Sequence, residues 1–150
     1  MKNYPLNGTM GMVIGSLSPW VEVITQEYKK IISKHPKIGY LHPIELLAIL
    51  FKNFRYQGQF GFVASFSSIE HSGLGRYGDA LDPIGDFREL QKVRCLLKDG
   101  GYAFIGIPSG ADGIMFNAHR IYGRARLPLL FDGKLISLFN RSVKIAYFAC

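Results

Sequence analysis

Apolar positions along the chain gather in short runs, separated by glycine, proline and polar turns. That is the spacing of strands and helices in alternation. The run 10–14 (MGMVI) ends in Gly15-Ser16 and predicts a first strand. Segments 24–28 (ITQEY) and 37–41 (KIGYL) predict a second and a third, and Pro43 opens a helix over IELLAILFKNF. Residues 61–67 (GFVASFS) predict a fourth strand with a nearly continuous apolar face. The stretch 86–97 (DFRELQKVRCLL) predicts a helix, with Asp86 as N-cap and Glu89 three residues on, as in a capping box. Its stripe is Phe87, Leu90, Val93, Arg94 and Leu97, the arginine snorkelling or exposed, and Gly100-Gly101 are expected to end it. Residues 102–107 (YAFIGI) predict a fifth strand stopped by Pro108, and 134–139 with 143–149 a terminal antiparallel hairpin.

Strands alternating with helices imply a single α/β domain with a mostly parallel sheet covered by helices. In such sheets ligands bind beyond the C-terminal ends of the strands. The loops after Ile14, Glu27, Leu41, Ser67 and Ile107 then share one rim. The loop after the fourth strand, IEHSGLGRYGDALDPIGD, is rich in acids and glycines and lies on that rim. It holds Glu70 and His71, an acid–base pair in prospect, because neutral imidazole takes up a proton near pH 7. The alternative is that His71 orders the strand end by hydrogen bonds. Asp79 and Asp82 suit a metal or a substrate hydroxyl, or equally the capping of turns around Gly78 and Pro83. Arg76 and Tyr77 suit an anionic or aromatic acceptor. Asn117, His119, Arg120 and Tyr122 form a polar cluster after the fifth strand, expected to face substrate. Trp20, the lone tryptophan, either shields a ligand or plugs the core.

Composition narrows this picture in a few places. With 150 residues, 48% of them hydrophobic, the chain is long enough for one core. Aromatics at 13% and charged residues at 19% argue against disorder. No apolar run reaches the roughly 18 residues of a membrane helix, and the N-terminus lacks the long apolar segment of a secretory signal. A soluble protein of the cytoplasm or another intracellular space is expected. The two cysteines, Cys95 and Cys150, make neither a disulfide framework nor a zinc site, and Cys95 is expected to be buried in its helix. The net charge of +7 gathers at 29–37 and 120–126. Such patches attract anions or nucleic acid, or are simply solvated. Neither has a zinc-finger spacing or the aromatic-glycine signature of an RNA-binding sheet.

The segment LLKDGGYAFIGIP, Leu96 to Pro108, is similar to the helix–GG–strand–P segment of class I S-adenosylmethionine-dependent methyltransferases, and FGFVASFSSIEH resembles their fourth strand. The longer pattern GSLSPWVE, EHSGLGRYGDALDPIGD and NAHRIYGRARLPLLF resembles a family of uncharacterised methyltransferase-like proteins, abundant in nematodes and known as a domain of unknown function. The resemblance covers roughly residues 11 to 140. It implies a Rossmann-like, methyltransferase-type sheet, an S-adenosylmethionine cofactor and an unknown acceptor. By position it implies that Gly15, Ser16 and Leu17 wrap the methionine end of the cofactor. Glu27 would hold the ribose hydroxyls, His42 would flank adenine, and Ser67 and Ser68 would meet the cofactor at the fourth strand. The catalytic candidates on the acceptor side are Glu70, His71, Asp79 and His119.

Two departures from that pattern matter. The first loop, IGSLSPW, has one glycine where the superfamily has several, and Glu27 follows Gly15 by only 12 residues, against about 20 in a nicotinamide-binding fold. Nine residues separate Ile14 from Ile24, fewer than the dozen or so that a parallel crossover needs. The expected first crossover is therefore shortened, with its helix mostly missing and the sheet there poorly covered. This opens a second reading, a non-catalytic binding or scaffold module with a basic surface, nucleic acid being one possible partner.

Overall fold

The computed structural model describes residues 9–14, 56–131 and 143–146. The strands expected at 24–28 and 37–41, the helix after Pro43, the shortened crossover, Trp20 and the first arm of the terminal hairpin lie outside them, as does Cys150.

A four-stranded sheet organises the described part. Strand β1 is Gly11–Ile14, β2 is Phe60–Phe66, β3 is Leu97–Pro108 and β6 is Val143–Ala146, side by side in the order β1-β2-β3-β6. The first three run parallel, with Val13 opposite Ala64 and Ala64 opposite Phe104. β6 closes the row antiparallel, Gly106 facing Ile145. The expected mixture of α and β, mostly parallel with an antiparallel strand at the C-terminal side, is what forms. Helix α1, Gly85–Leu96, precedes β3 directly. After β3 come a small antiparallel hairpin, β4 (Gly113–Met115) and β5 (His119–Ile121), and a short helix α2, Arg126–Phe131.

The core lies on one face of the sheet. Alternation puts Val63 of β2 and Ala103, Ile105 and Ile107 of β3 on that face, all buried. Leu90, Val93 and Leu96 recur every third residue on α1 and meet them, with Leu130 and Phe131 of α2, Ile69 and Tyr122 in the same cluster. Each large side chain so buried contributes about 1.5–3 kcal/mol relative to exposure. On the opposite face Phe62 and Phe104 meet edge to face, centroids 6.5 Å apart, and both are half-buried.

Four expectations change. Asp86 is not the N-cap of α1: Ile84 holds that place without a side-chain bond, and Asp86 lies inside the helix, fully buried. Glu89 pairs with Lys92 instead of reaching back to the helix start. Gly100-Gly101 do not end the helix, which has already given way to strand at Leu97. They sit in an irregularity of β3, where Phe60 pairs with Leu97 but Phe62 with Tyr102, and Gly100 takes φ 70°. Cys95 faces solvent rather than the core.

Candidate functional site

The chain leaves β2 abruptly. Ser67 adopts φ 50°, in the left-handed region a residue with a Cβ seldom takes, and its N–H still donates to Gly106 at 2.9 Å. A single 3-10 turn, Ile69–His71, follows at the C-terminal end of the strand. It buries Glu70 completely and leaves His71 at the edge. The Ser67 hydroxyl donates to Oε1 of Glu70 at 2.8 Å, while Oε2 of Glu70 is buried with no partner among the described residues.

His71 is held from the side by the β4–β5 hairpin. Its Nδ1 lies 2.5 Å from the carbonyl oxygen of Ala118. A carbonyl only accepts, so Nδ1 carries the hydrogen and, in the neutral ring, Nε2 carries the lone pair. Nε2 is 3.8 Å from Glu70 Oε1. Two rings meet His71 edge to face: Tyr77 at 5.8 Å and His119 at 6.3 Å between centroids.

The loop that follows is folded on its own acids. Asp79 accepts from the N–H groups of Gly73 (2.7 Å), Tyr77 (3.2 Å) and Gly75 (3.3 Å). Burial alone pushes the Asp79 carboxyl up, but the N–H groups of Tyr77, Gly73 and Gly75 outweigh it and hold the group below its ordinary range. Asp82 accepts from the Ile84 N–H and pairs with Arg88 at 2.9 Å. Of the alternatives for these two acids, the turn-capping role is the one the geometry displays. Gly73 and Gly85 let the loop and the start of α1 touch: a Cβ on Gly85 would lie 2.7 Å from the Ser72 carbonyl oxygen, and one on Gly73 2.2 Å from that of Asp82.

Beneath the loop is a buried ionic network that sequence reasoning missed. Arg120, expected to face substrate, is wholly buried. Its guanidinium donates to the carbonyl oxygens of Glu70 (3.5 Å), Ser72 and Asp82 (3.1 Å). Its Nε lies 3.8 Å from Oδ1 of Asp86. Asp86 also accepts from the Tyr122 hydroxyl at 3.0 Å and from Arg126 Nε and Nη2 at 2.9 and 2.7 Å. Burial first, then the Asp86 carboxylate, raises the Tyr122 hydroxyl far above its ordinary range. The hydrogen bond to Asp86 raises Arg126 likewise. Arg120 and Tyr122 thus belong to the core, while Asn117 is exposed at the hairpin turn with φ 53°. Asp112 accepts from the N–H groups of Gly123, Ala125 and Arg126, which pins the start of α2.

Of the expected site residues, the structure brings Glu70, His71, His119 and Ser67 together and places Asp79 in the neighbouring turn. Ser68 stands between Ser67 and the 3-10 turn. Gly15, Ser16, Leu17, Glu27 and His42 lie outside the described residues. Among the described residues no group of three or more His, Cys, Asp or Glu is arranged to hold a metal ion, and no helix is long and apolar enough to cross a membrane.

Residues 8–146 match the family model described as Caenorhabditis protein of unknown function, DUF268. The match spans nearly the whole chain, which therefore belongs to that family. No curated protein and no solved structure matches it.

Proposed function

We propose that the chain is a methyltransferase-like protein that uses S-adenosylmethionine and places its acceptor against the Glu70–His71 turn. The observation that carries the reading is His71 itself. It sits at the C-terminal end of a parallel strand, where α/β sheets bind ligands, with its tautomer fixed so that Nε2 is the basic atom. The sheet supports the same reading: β1, β2 and β3 run parallel and side by side, so their C-terminal ends share one rim.

The described part of the cofactor side fits a polar ligand. Ser67 turns out of the strand with its hydroxyl on Glu70 and its N–H on the Gly106 carbonyl, so its own carbonyl oxygen is the group that would meet the cofactor. Oε2 of Glu70 and Oγ of Ser65 at the same strand end are buried and have no hydrogen-bond partner among the described residues. S-Adenosylmethionine supplies an electrophilic methyl group when bound. The chain's own residues act on the acceptor: Nε2 of His71 takes the proton of the attacking O–H or N–H, and the Glu70 carboxylate at 3.8 Å stabilises the imidazolium that results.

Thermal shift and calorimetry with S-adenosylmethionine and S-adenosylhomocysteine test the reading. A ligand at about 100 times its Kd stabilises the fold by ~2.7 kcal/mol. Glu27→Ala is expected to weaken binding, and His71→Gln to abolish transfer while binding persists. The absence of any shift at millimolar concentration of both compounds would count against the cofactor and favour the non-catalytic binding module.

A further inference from the structure

We propose that the acceptor is a planar aromatic anion, held between Tyr77 and the tip of the β4–β5 hairpin with its charge on Arg76; this rests on the reading of the Glu70–His71 turn as the acceptor side. The placement follows from contacts around His71. Tyr77 and His119 each present a ring edge to face with it. Met115 is the direct cross-strand neighbour of His119, so their side chains share one side of the hairpin. Tyr77, Met115 and the adjoining Phe116 are 43%, 54% and 83% exposed. One exposed apolar side chain is ordinary on any surface, but Tyr77 against one imidazole and Met115 beside the other, with Phe116 exposed at the adjoining turn, offer apolar surface that gains by covering a ligand.

The charge on the ligand comes from Arg76. Its guanidinium lies 5.6 Å from the centroid of the Tyr77 ring, and no carboxylate pairs with it among the described residues. Asp79, the acid nearest in sequence, spends its oxygens on three backbone N–H groups of the same loop. A guanidinium over a ring is a ready partner for a carboxylate or phosphate whose own ring lies on that aromatic surface. The Asp79 carboxylate holds the Tyr77 backbone N–H and the ring rests against His71, so less order is lost on binding than for a free loop. An aromatic hydroxyl on such a ligand, near Nε2 of His71, is the proton donor that this base suits.

The probes are 1-hydroxy-2-naphthoate and neutral 2-naphthol, titrated without S-adenosylmethionine and followed by the Met115 methyl signal and the His71 and His119 ring signals. Saturable shifts with the naphthoate are expected, about tenfold weaker in Arg76→Gln, an amount equal to ~1.4 kcal/mol, and weaker again in Met115→Ser, with unchanged melting temperatures. Naphthol is expected to bind the wild type no better than naphthoate binds Arg76→Gln. Equal affinity for the two probes, or no saturable shift, overturns the proposal. So does sedimentation with phosphatidylserine vesicles that is lost in Phe116→Ser, because a bilayer would then be the occupant. Naphthoate binding in a protein that shows no shift with S-adenosylmethionine would sustain the aromatic-anion site and remove the methyltransferase reading; the reverse result would do the opposite.

Discussion

Replacing Asp86 by alanine is the most severe single test of the network beneath the site. The carboxylate is fully buried and accepts from Tyr122 and twice from Arg126. Among the described residues it is also the carboxylate within ion-pair range of Arg120, whose side chain is fully buried too. Asp86→Ala leaves that guanidinium without a countercharge in a dry interior, a loss of about 3–5 kcal/mol for a broken buried pair. Tyr122→Phe removes one donor and leaves Arg126 in place, so it should cost about 1.5 kcal/mol, the low end for a hydrogen bond to a charged group. Against a domain stability of about 5–15 kcal/mol, the first change is a large fraction of the whole. Urea denaturation reads both. With m near 2 kcal/mol/M, Asp86→Ala lowers the midpoint by about 2 M and Tyr122→Phe by less than half of that. A midpoint for Asp86→Ala within about 0.5 M of wild type, at unchanged m, would refute the counterion role.

Arg120→Lys keeps the charge but loses the planar fork that reaches three carbonyl groups, so hydrogen exchange should quicken at 70–74 and 82–85 while β2 and β3 stay protected. Equal protection across both regions would show that the clamp is dispensable. Gly85→Ala drives a Cβ to 2.7 Å from the Ser72 carbonyl oxygen and should cost about 1–3 kcal/mol in a urea titration; a neutral change would mean that the loop moves aside freely. The Asp79 carboxyl is held below its ordinary value of 3.8 in the folded chain, so its contribution is complete above about pH 4 and is lost as pH falls through the depressed folded value. The gap in stability between wild type and Asp79→Asn should therefore be flat from pH 7 to pH 5 and close on further acidification, and a gap independent of pH down to pH 2 would contradict the assignment.

What the sequence revealed and what it hid divide along the range of the interactions. The strand over 60–66 was legible because its apolar run is local and bounded. The helix was legible because Leu90, Val93 and Leu97 repeat at its period. Its ends were not. Asp86 precedes the apolar stripe as an N-cap would, yet its partners Tyr122 and Arg126 are 36 and 40 residues away. Gly100-Gly101 look like a helix stop, but Leu97 continues the stripe while already pairing with Phe60 as strand. The Glu70–His71 turn was found by rule, as the loop after a parallel strand. Its lateral support was not, because Ala118, His119 and Met115 reach it only through a hairpin of three-residue strands, too short to show an alternating pattern. Arg120 was misplaced for a related reason: in the run RIYGRAR an arginine that faces the core reads the same as one that faces solvent.

The burial of Arg120 has its cause in the loop above it. A guanidinium in an apolar interior carries a desolvation cost, and apolar side chains of equal volume would often pack there as well or better. What they cannot supply is donors. The turn after β2 and the loop before α1 point the carbonyl groups of Glu70, Ser72 and Asp82 toward Arg120, Asp82 also accepting from the Gly85 N–H at 3.1 Å, and a buried carbonyl without a partner costs as much as a lost hydrogen bond. Arginine brings five N–H groups on one plane and meets all three carbonyls, with Asp86 below to balance the charge. The same bonds fix the backbone of Glu70 and Ser72 on either side of His71. The position of the imidazole is thus set from below by Arg120 and from the side by Ala118, and the core that stabilises the domain is also the support on which the candidate base stands.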